Sequence, residues 1–273
     1  VAAAIESVLQ QKYTSFELIL VNDASTDSSG NICNKYTGDD RVVVIHKKKN
    51  EGQIATRNIG VQHAKGNYLL FLDSDDTFVK DALSILHDYI VKYRTDCVVF
   101  GVKRITNENK VVDLWQDSNL ELISRKRDLY MKICCDYRYN SMCRKAVKRE
   151  KALGHDFQKY YSVRHGEDLI QSLHILSKCN SVLFIPDILY LYKIVSSSVS
   201  NSVSYENYKV DFSSREFTFE FLESENCFAK KDFDEYINYS RELFCKTIKL
   251  IIGFDTSIRN RVNLLKKVMS ENL

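Results

Sequence analysis

Leu69-Leu70-Phe71-Leu72-Asp73-Ser74-Asp75-Asp76 is an apolar run that ends in three carboxylates within four residues. From Tyr68 to Leu72 it has the length and continuity of a buried strand, and the acids mark where it leaves the core. Carboxylates this close repel one another unless a cation or hydrogen-bond donors neutralise them. Hard oxygen ligands on a short turn suit Mg²⁺ or Mn²⁺, which can also bridge two phosphates. The plainer reading is an acidic turn that caps the following helix, since Asp is a good N-cap.

Upstream the pattern repeats. Ala4, Ile5, Val8 and Leu9 recur at helical spacing, Phe16 to Val21 read as a strand, and Ser28 to Tyr36 as a helix. Val42 to Ile45 make a second strand and Ile54 to Ala64 the next helix. Downstream come a helix over Lys80 to Tyr93 and a strand over Cys97 to Lys103, after which the pattern weakens between Val111 and Phe157 apart from a helix near Ser124 to Cys134. A helix opens at Gly166, and short strands follow at Val182 to Ile185 and Leu189 to Ile194. Alternating elements with near-continuous apolar strands predict an α/β fold, a mostly parallel sheet flanked by helices. Its ligands belong at the carboxyl ends of the strands, where loops carry chemistry over a packed core.

Ser196 to Ser204 is serine-rich and reads as a loop or lid. A catalytic unit over 1–204 and a helical C-terminal region over 205–273 are therefore expected.

Three other segments carry polar groups at such ends. Val21-Asn22-Asp23-Ala24-Ser25-Thr26-Asp27 follows a buried strand, and the Asp23 carboxylate there can accept from a ring N–H. Asn50-Glu51-Gly52-Gln53-Ile54-Ala55-Thr56-Arg57 runs a loop into a helix, and a buried Arg57 would need anionic or aromatic partners. Gly166-Glu167-Asp168-Leu169 opens a helix with two acids, which its dipole favours; an Asp there could also serve as a base for an attacking hydroxyl.

Composition narrows the setting. A hydrophobic share of 44% beside 27% charged residues is that of a globular protein. No stretch approaches the ~18 apolar residues of a membrane helix. A net charge of +3 is too small to argue for nucleic acid. Val1 to Leu9 lack the marks of a secretory signal, which points to the cytoplasm. The eight cysteines lie in apolar contexts without paired CxxC spacing, so reduced core thiols are expected. Arg259, Arg261, Lys266 and Lys267 around Val262, Leu264, Leu265 and Val268 suit either an amphipathic helix on the inner face of an anionic membrane or a solvated helix on the domain.

In order, VNDASTD, NEGQIATRNIG, LLFLDSDD and GEDL resemble the family 2 glycosyltransferases, inverting enzymes of the GT-A fold, over about Ala2 to Ser204. The resemblance implies transfer of a hexose or N-acetylhexosamine from a UDP-sugar to a carbohydrate or lipid-linked oligosaccharide acceptor, in bacterial surface polysaccharide synthesis such as capsule or lipopolysaccharide. It implies that Asp23 binds the uracil, Arg57 lies along the nucleotide, Asp73 binds the ribose side and Asp75 holds the metal, Mn²⁺ or Mg²⁺. Asp168 would be the catalytic base, Glu167 its neighbour orienting acceptor or base, and Lys193 would help neutralise the leaving diphosphate.

The chain departs from the pattern in two places. The strand with which family members usually begin has no counterpart, so the sheet is expected to lack a central member. A familiar glycine is Ala24, a change expected to have little chemical consequence. Two other functions use similar parts. A sugar-1-phosphate nucleotidyltransferase shares the α/β core and the acids but needs a glycine-rich, basic triphosphate loop, and none is in view. A non-catalytic sugar-nucleotide-binding domain would have no chemical need for Asp75 and Asp168 together.

Overall fold

The structure, a computed structural model, describes residues 1–163, 166–194, 215 and 217–253, with side chains described as far as 243. Its helices are α1 (Ala2–Leu9), α2 (Ser29–Asn34), α3 (Gln53–His63), α4 (Ala82–Tyr93), α5 (Lys126–Cys134), α6 (Arg149–Ala152), α7 (Glu167–Ser177) and α8 (Lys230–Gly253). The strands are β1 (Leu18–Asn22), β2 (Val42–His46), β3 (Tyr68–Leu70), β4 (Thr77–Phe78), β5 (Cys97–Ile105), β6 (Val111–Trp115), β7 (Glu121–Ile123), β8 (Lys145–Lys148) and β9 (Val182–Lys193). The serine-rich segment, the boundary at 204 and the basic cluster 259–267 lie outside the described residues.

The α/β layering is as the sequence predicts, but the pairing is mixed instead of mostly parallel. Strands β1 and β2 form a parallel pair. The other seven run in the order β3-β8-β5-β9-β4, with β6 on β5 and β7 on β9. Only β5 and β9 are parallel there; β8 enters antiparallel between β3 and β5, and β6 folds back on β5 through a short turn. The sheet is interrupted between β1 and β3, which do not pair with each other.

Strand β5 is the spine. Cys97 and Val99 point into one core, with residues of α3, α5 and α7, while Val98 and Phe100 point into the other, with Val8 of α1 and Leu86 of α4. All four are fully buried. Coverage on both faces is why this strand reads as a continuous apolar run, and each such side chain contributes about 1.5–3 kcal/mol of burial.

The two strands expected near the end of the sheet are one. Between Val99↔Phe184 and Gly101↔Ile188 the register shifts, and Pro186 falls in the resulting bulge, where a missing N–H breaks no ladder. A Cβ on Gly101 would lie 3.0 Å from the Asp187 carbonyl, so the bulge sits against bare backbone.

Helix α7, which carries the GEDL acids, is fixed at its far end by Lys126. Its ammonium donates to the carbonyls of Leu176, Ser177 and Cys179 at 3.0, 2.5 and 2.6 Å, which satisfies a helix C-terminus that would otherwise be orphaned. Residues 217–224, also helical, pack on the same side: Phe221 meets Tyr130 edge-on at 5.3 Å, and Phe217 stacks on His174 at 5.5 Å. All seven cysteines with described side chains are free thiols, five of them buried.

Candidate active site

The four quoted segments meet around α3. At the end of β1, the Asp23 carboxylate accepts from the amides of Glu51 and Gly52 at 3.0 and 2.8 Å and from the Lys47 ammonium. Burial alone would raise its pKa; the Lys47 ammonium and the two amides outweigh burial and hold it below the usual carboxylate range. Asp23 thus fastens the first motif to the loop that opens α3. Gly52 has φ 87°, a left-handed conformation that turns its amide toward this carboxylate.

Ala24 also has positive φ, 55°. Alanine there adds no chemistry, but its Cβ sits in a backbone region that penalises any side chain.

One turn into α3, Arg57 gathers the remaining segments. Nη1 donates to Asp168 and, at 3.1 Å, to Gln171 Oε1; Nη2 donates to Gln53 Oε1 at 3.0 Å and to Asp73 Oδ1 at 3.3 Å. The side chain is only 9% exposed. Burial disfavours its charge, yet Asp168 and Asp73 together raise its pKa well above the ordinary value. The anionic partners that a buried Arg57 demanded are therefore the protein's own acids, from the end of β3 and the first turn of α7. The second oxygen of Asp168 has no hydrogen-bond partner among the described residues.

Gly166 precedes α7 with φ 74°, a turn that a side chain would strain, and so sets the two acids at the helix mouth. Burial, with Asp168 adding, pushes Glu167 up to about 7.

The three acids after β3 have separate roles. Asp73 faces Arg57. Asp76 is buried, and its oxygens accept from the Tyr190 hydroxyl and the Lys193 amide, both at 2.7 Å, which ties the turn to β9. Asp75 stays exposed between them. The capping alternative fails in its simple form: α4 begins at Ala82, and Asp81 is its N-cap residue. Lys193 therefore lies beside the acidic turn, brought there by its own backbone. Among the described residues no three His, Cys, Asp or Glu side chains converge as a metal cage.

Sequence reasoning missed Lys47, Gln171 and Cys143. Lys47 sits in a run of three lysines that reads as solvated surface, yet its side chain is buried. Gln171 lies one turn beyond the GEDL acids. The Cys143 thiol is buried beside Asp73, Arg57 and Asp168, and burial raises it well above the ordinary thiol range.

The chain is similar to known glycosyltransferases. A family model described as "Glycosyl transferase family 2" matches residues 1–150. Glycosyltransferase GlyA of Streptococcus pneumoniae is 30% identical over 203 residues, covering 72% of this chain and 29% of that protein. Glycosyltransferase GlyG of the same organism is 28% identical over 204 residues, covering 71% of this chain and 66% of its own length. The chain thus spans less than a third of the first relative and about two thirds of the second. A crystal structure of S. aureus TarS 1-349 in complex with UDP-GlcNAc shares the fold, with a TM-score of 0.67 at 16% identity over 97% of this chain and 74% of that one. With the four motifs gathered on α3 and the family match running through three of them, the chain belongs to glycosyl transferase family 2.

Proposed function

We propose that the protein transfers a hexose or N-acetylhexosamine from a UDP-sugar to a hydroxyl of a carbohydrate or lipid-linked acceptor, with inversion at the anomeric carbon, in surface polysaccharide synthesis. The observation that carries this reading is the Arg57 guanidinium joining Asp73 and Asp168, which sets a donor-side acid and a candidate base in one site. The likeness in fold to a UDP-GlcNAc complex of TarS supports the choice of donor.

Asp23, beside the α3 loop, would receive the uracil N–H on its second oxygen, which holds only one hydrogen bond. Asp73 would take the ribose side. Asp168 offers a carboxylate oxygen to the acceptor hydroxyl. As that proton moves to Asp168, the hydroxyl oxygen bonds to the anomeric carbon and the bond to the diphosphate breaks, its electron pair leaving on the diphosphate. Arg57 fixes the base in place, and Lys193 adds positive charge on the diphosphate side. Glu167, partly protonated near neutrality, can donate a hydrogen bond to base or acceptor.

A divalent cation, Mn²⁺ or Mg²⁺, suits Asp75. Mg²⁺ commonly takes one or two carboxylates and completes its shell with substrate phosphates and water, and Asp75 is the exposed acid on a turn that Asp76 anchors from below. When bound, it would stabilise charge on the leaving diphosphate.

The test is UDP release from a panel of UDP-sugars with Mn²⁺, comparing wild type with Asp75→Ala and Asp168→Asn. Metal-dependent turnover of one donor, abolished in both variants while Asp168→Asn still binds UDP, is the expected result. A folded protein that binds no UDP-sugar would overturn the assignment.

A further inference from the structure

Of the three lysines that follow β2, Lys48 and Lys49 are exposed and Lys47 alone turns inward, its side chain 4% exposed. Its place is set twice. The Lys47 amide donates to the Asn22 carbonyl at 2.9 Å, which carries the β1–β2 pairing one residue past the strands, and its ammonium donates to Asp23 Oδ1 at 2.5 Å. The ammonium also stands 3.4 Å from Thr56 Oγ1 of α3 and 3.4 Å from a Glu51 carboxylate oxygen.

The two oxygens of Asp23 are thereby made unequal. Oδ1 accepts from Lys47 and from the Glu51 amide at 3.0 Å, whereas among the described residues Oδ2 accepts from the Gly52 amide alone, at 2.8 Å. A carboxylate oxygen has room for a second donor. The Asp23 side chain is 19% exposed, so a ligand can reach the carboxylate while the ammonium paired with it stays enclosed. The turn that presents Asp23 is braced from its other neighbour: Asn22 Oδ1 accepts from the Ser25 amide at 3.1 Å, and Asn22 Nδ2 pairs with His46 Nδ1 at 3.0 Å.

An ionised carboxylate only accepts hydrogen bonds. It therefore pairs with a ring that carries an N–H at the facing edge, as uracil does at N3, and opposes one that carries a lone pair there, as cytosine does. Holding Asp23 ionised is hardest when a nucleotide is bound, because the base covers the carboxylate and the diphosphate adds negative charge to the site. Lys47 offsets both, and its enclosed charge is little screened by water or salt.

We propose that Lys47 is the positioning residue for nucleobase selection: by holding Asp23 Oδ1 and balancing its charge, it keeps Oδ2 as an acceptor for a ring N–H, so that the site takes uracil and rejects cytosine. The inference rests on the function proposed above, in which Asp23 meets the base.

Isothermal titration with UDP and CDP tests it, since the two nucleotides share ribose and diphosphate and differ only at N3 of the base and the exocyclic group beside it. Wild type should bind UDP at least about tenfold more tightly than CDP, the share of a charge-assisted hydrogen bond. In Lys47→Met, UDP affinity should fall about tenfold with CDP nearly unchanged, so that the preference collapses, while Lys47→Arg, which returns a cation to Asp23, should keep most of it. Should Lys47→Met fail to fold, Lys47→Gln decides, because it retains a donor without a charge and should lose the preference likewise. A Met or Gln variant that keeps the wild-type preference, or that loses UDP and CDP affinity equally, would overturn the proposal and leave the donor reading standing, as would a wild type that binds both nucleotides alike. Binding of neither nucleotide by the folded wild type would sink the donor reading and this inference with it.

Discussion

Arg57 on α3 and Asp168 at the mouth of α7, 111 residues apart in sequence, share a hydrogen bond, and the other arm of the same guanidinium holds Asp73 at 3.3 Å. One cation thus balances two carboxylates in a largely enclosed setting. Arg57→Ala leaves both acids facing each other unpaired, a loss expected to cost about 3–5 kcal/mol of stability. Urea denaturation measures it. Combined with Asp168→Asn in a double-mutant cycle, the pair should show coupling of at least ~0.5 kcal/mol, and additive effects would mean that the contact is not made in solution.

Asp76 gives a pH signature. Burial raises its carboxyl from 3.8 to about 7, against the opposing pull of the Lys193 amide and Tyr190 hydroxyl. Because the folded value exceeds the unfolded one, the stability linked to this proton is complete below pH ~4 and is lost as pH climbs through about 7. Glu167, raised to about 7, acts with the same sign. The melting temperature should therefore fall between pH 5 and 8, and Asp76→Asn should flatten that slope, since the amide oxygen can still accept from the Lys193 amide while its NH2 donates to the Tyr190 hydroxyl oxygen. An unchanged slope in Asp76→Asn would show that Asp76 does not titrate there.

How much of this was legible in the sequence depended on whether residue type matched environment. Strand β5 and the two halves of β9 announced themselves because their residues are largely covered, and the motif acids stood out because charge at the end of an apolar run is conspicuous. Strand β8 did not: Lys-Ala-Val-Lys looks like surface, yet Lys145 is fully buried. Without β8, the antiparallel insertion between β3 and β5 could not be foreseen. Site residues set by distant packing, such as Cys143 and Gln171, leave no local trace either, whereas Arg57 advertised its need for anions without revealing which ones.

Lys145 itself is testable. Its ammonium donates to the carbonyls of Tyr139 and Ser141 at 2.5 and 2.6 Å, with Asn140 at 3.4 Å, and so braces the loop that leads to Cys143. Lys145→Met keeps the aliphatic volume but orphans those carbonyls, at a cost of about 1–3 kcal/mol. Turnover should fall more steeply than stability predicts, because the same loop accepts the Ser172 hydroxyl and flanks Asp73. Full activity in a destabilised Lys145→Met would separate the loop from the chemistry.

Ala24, next to Asp23, adopts φ 55° with a Cβ that this region disfavours by ~1–2 kcal/mol. Glycine removes the clash but gives back about 0.4–1 kcal/mol through the added freedom of the unfolded chain, so Ala24→Gly should stabilise by roughly 0.5 kcal/mol. Valine, branched at Cβ, belongs even less in the left-handed region and should destabilise by more than ~1 kcal/mol. The pair of variants isolates backbone conformation from chemistry, since neither adds a polar group. Thermal denaturation with and without UDP reads both effects at once: Ala24→Val should also weaken the nucleotide's stabilising effect if Asp23 contacts the base, because the residue that fixes the turn also aims that carboxylate. Equal melting temperatures for Gly, Ala and Val at this position would mean that the turn is not left-handed in solution.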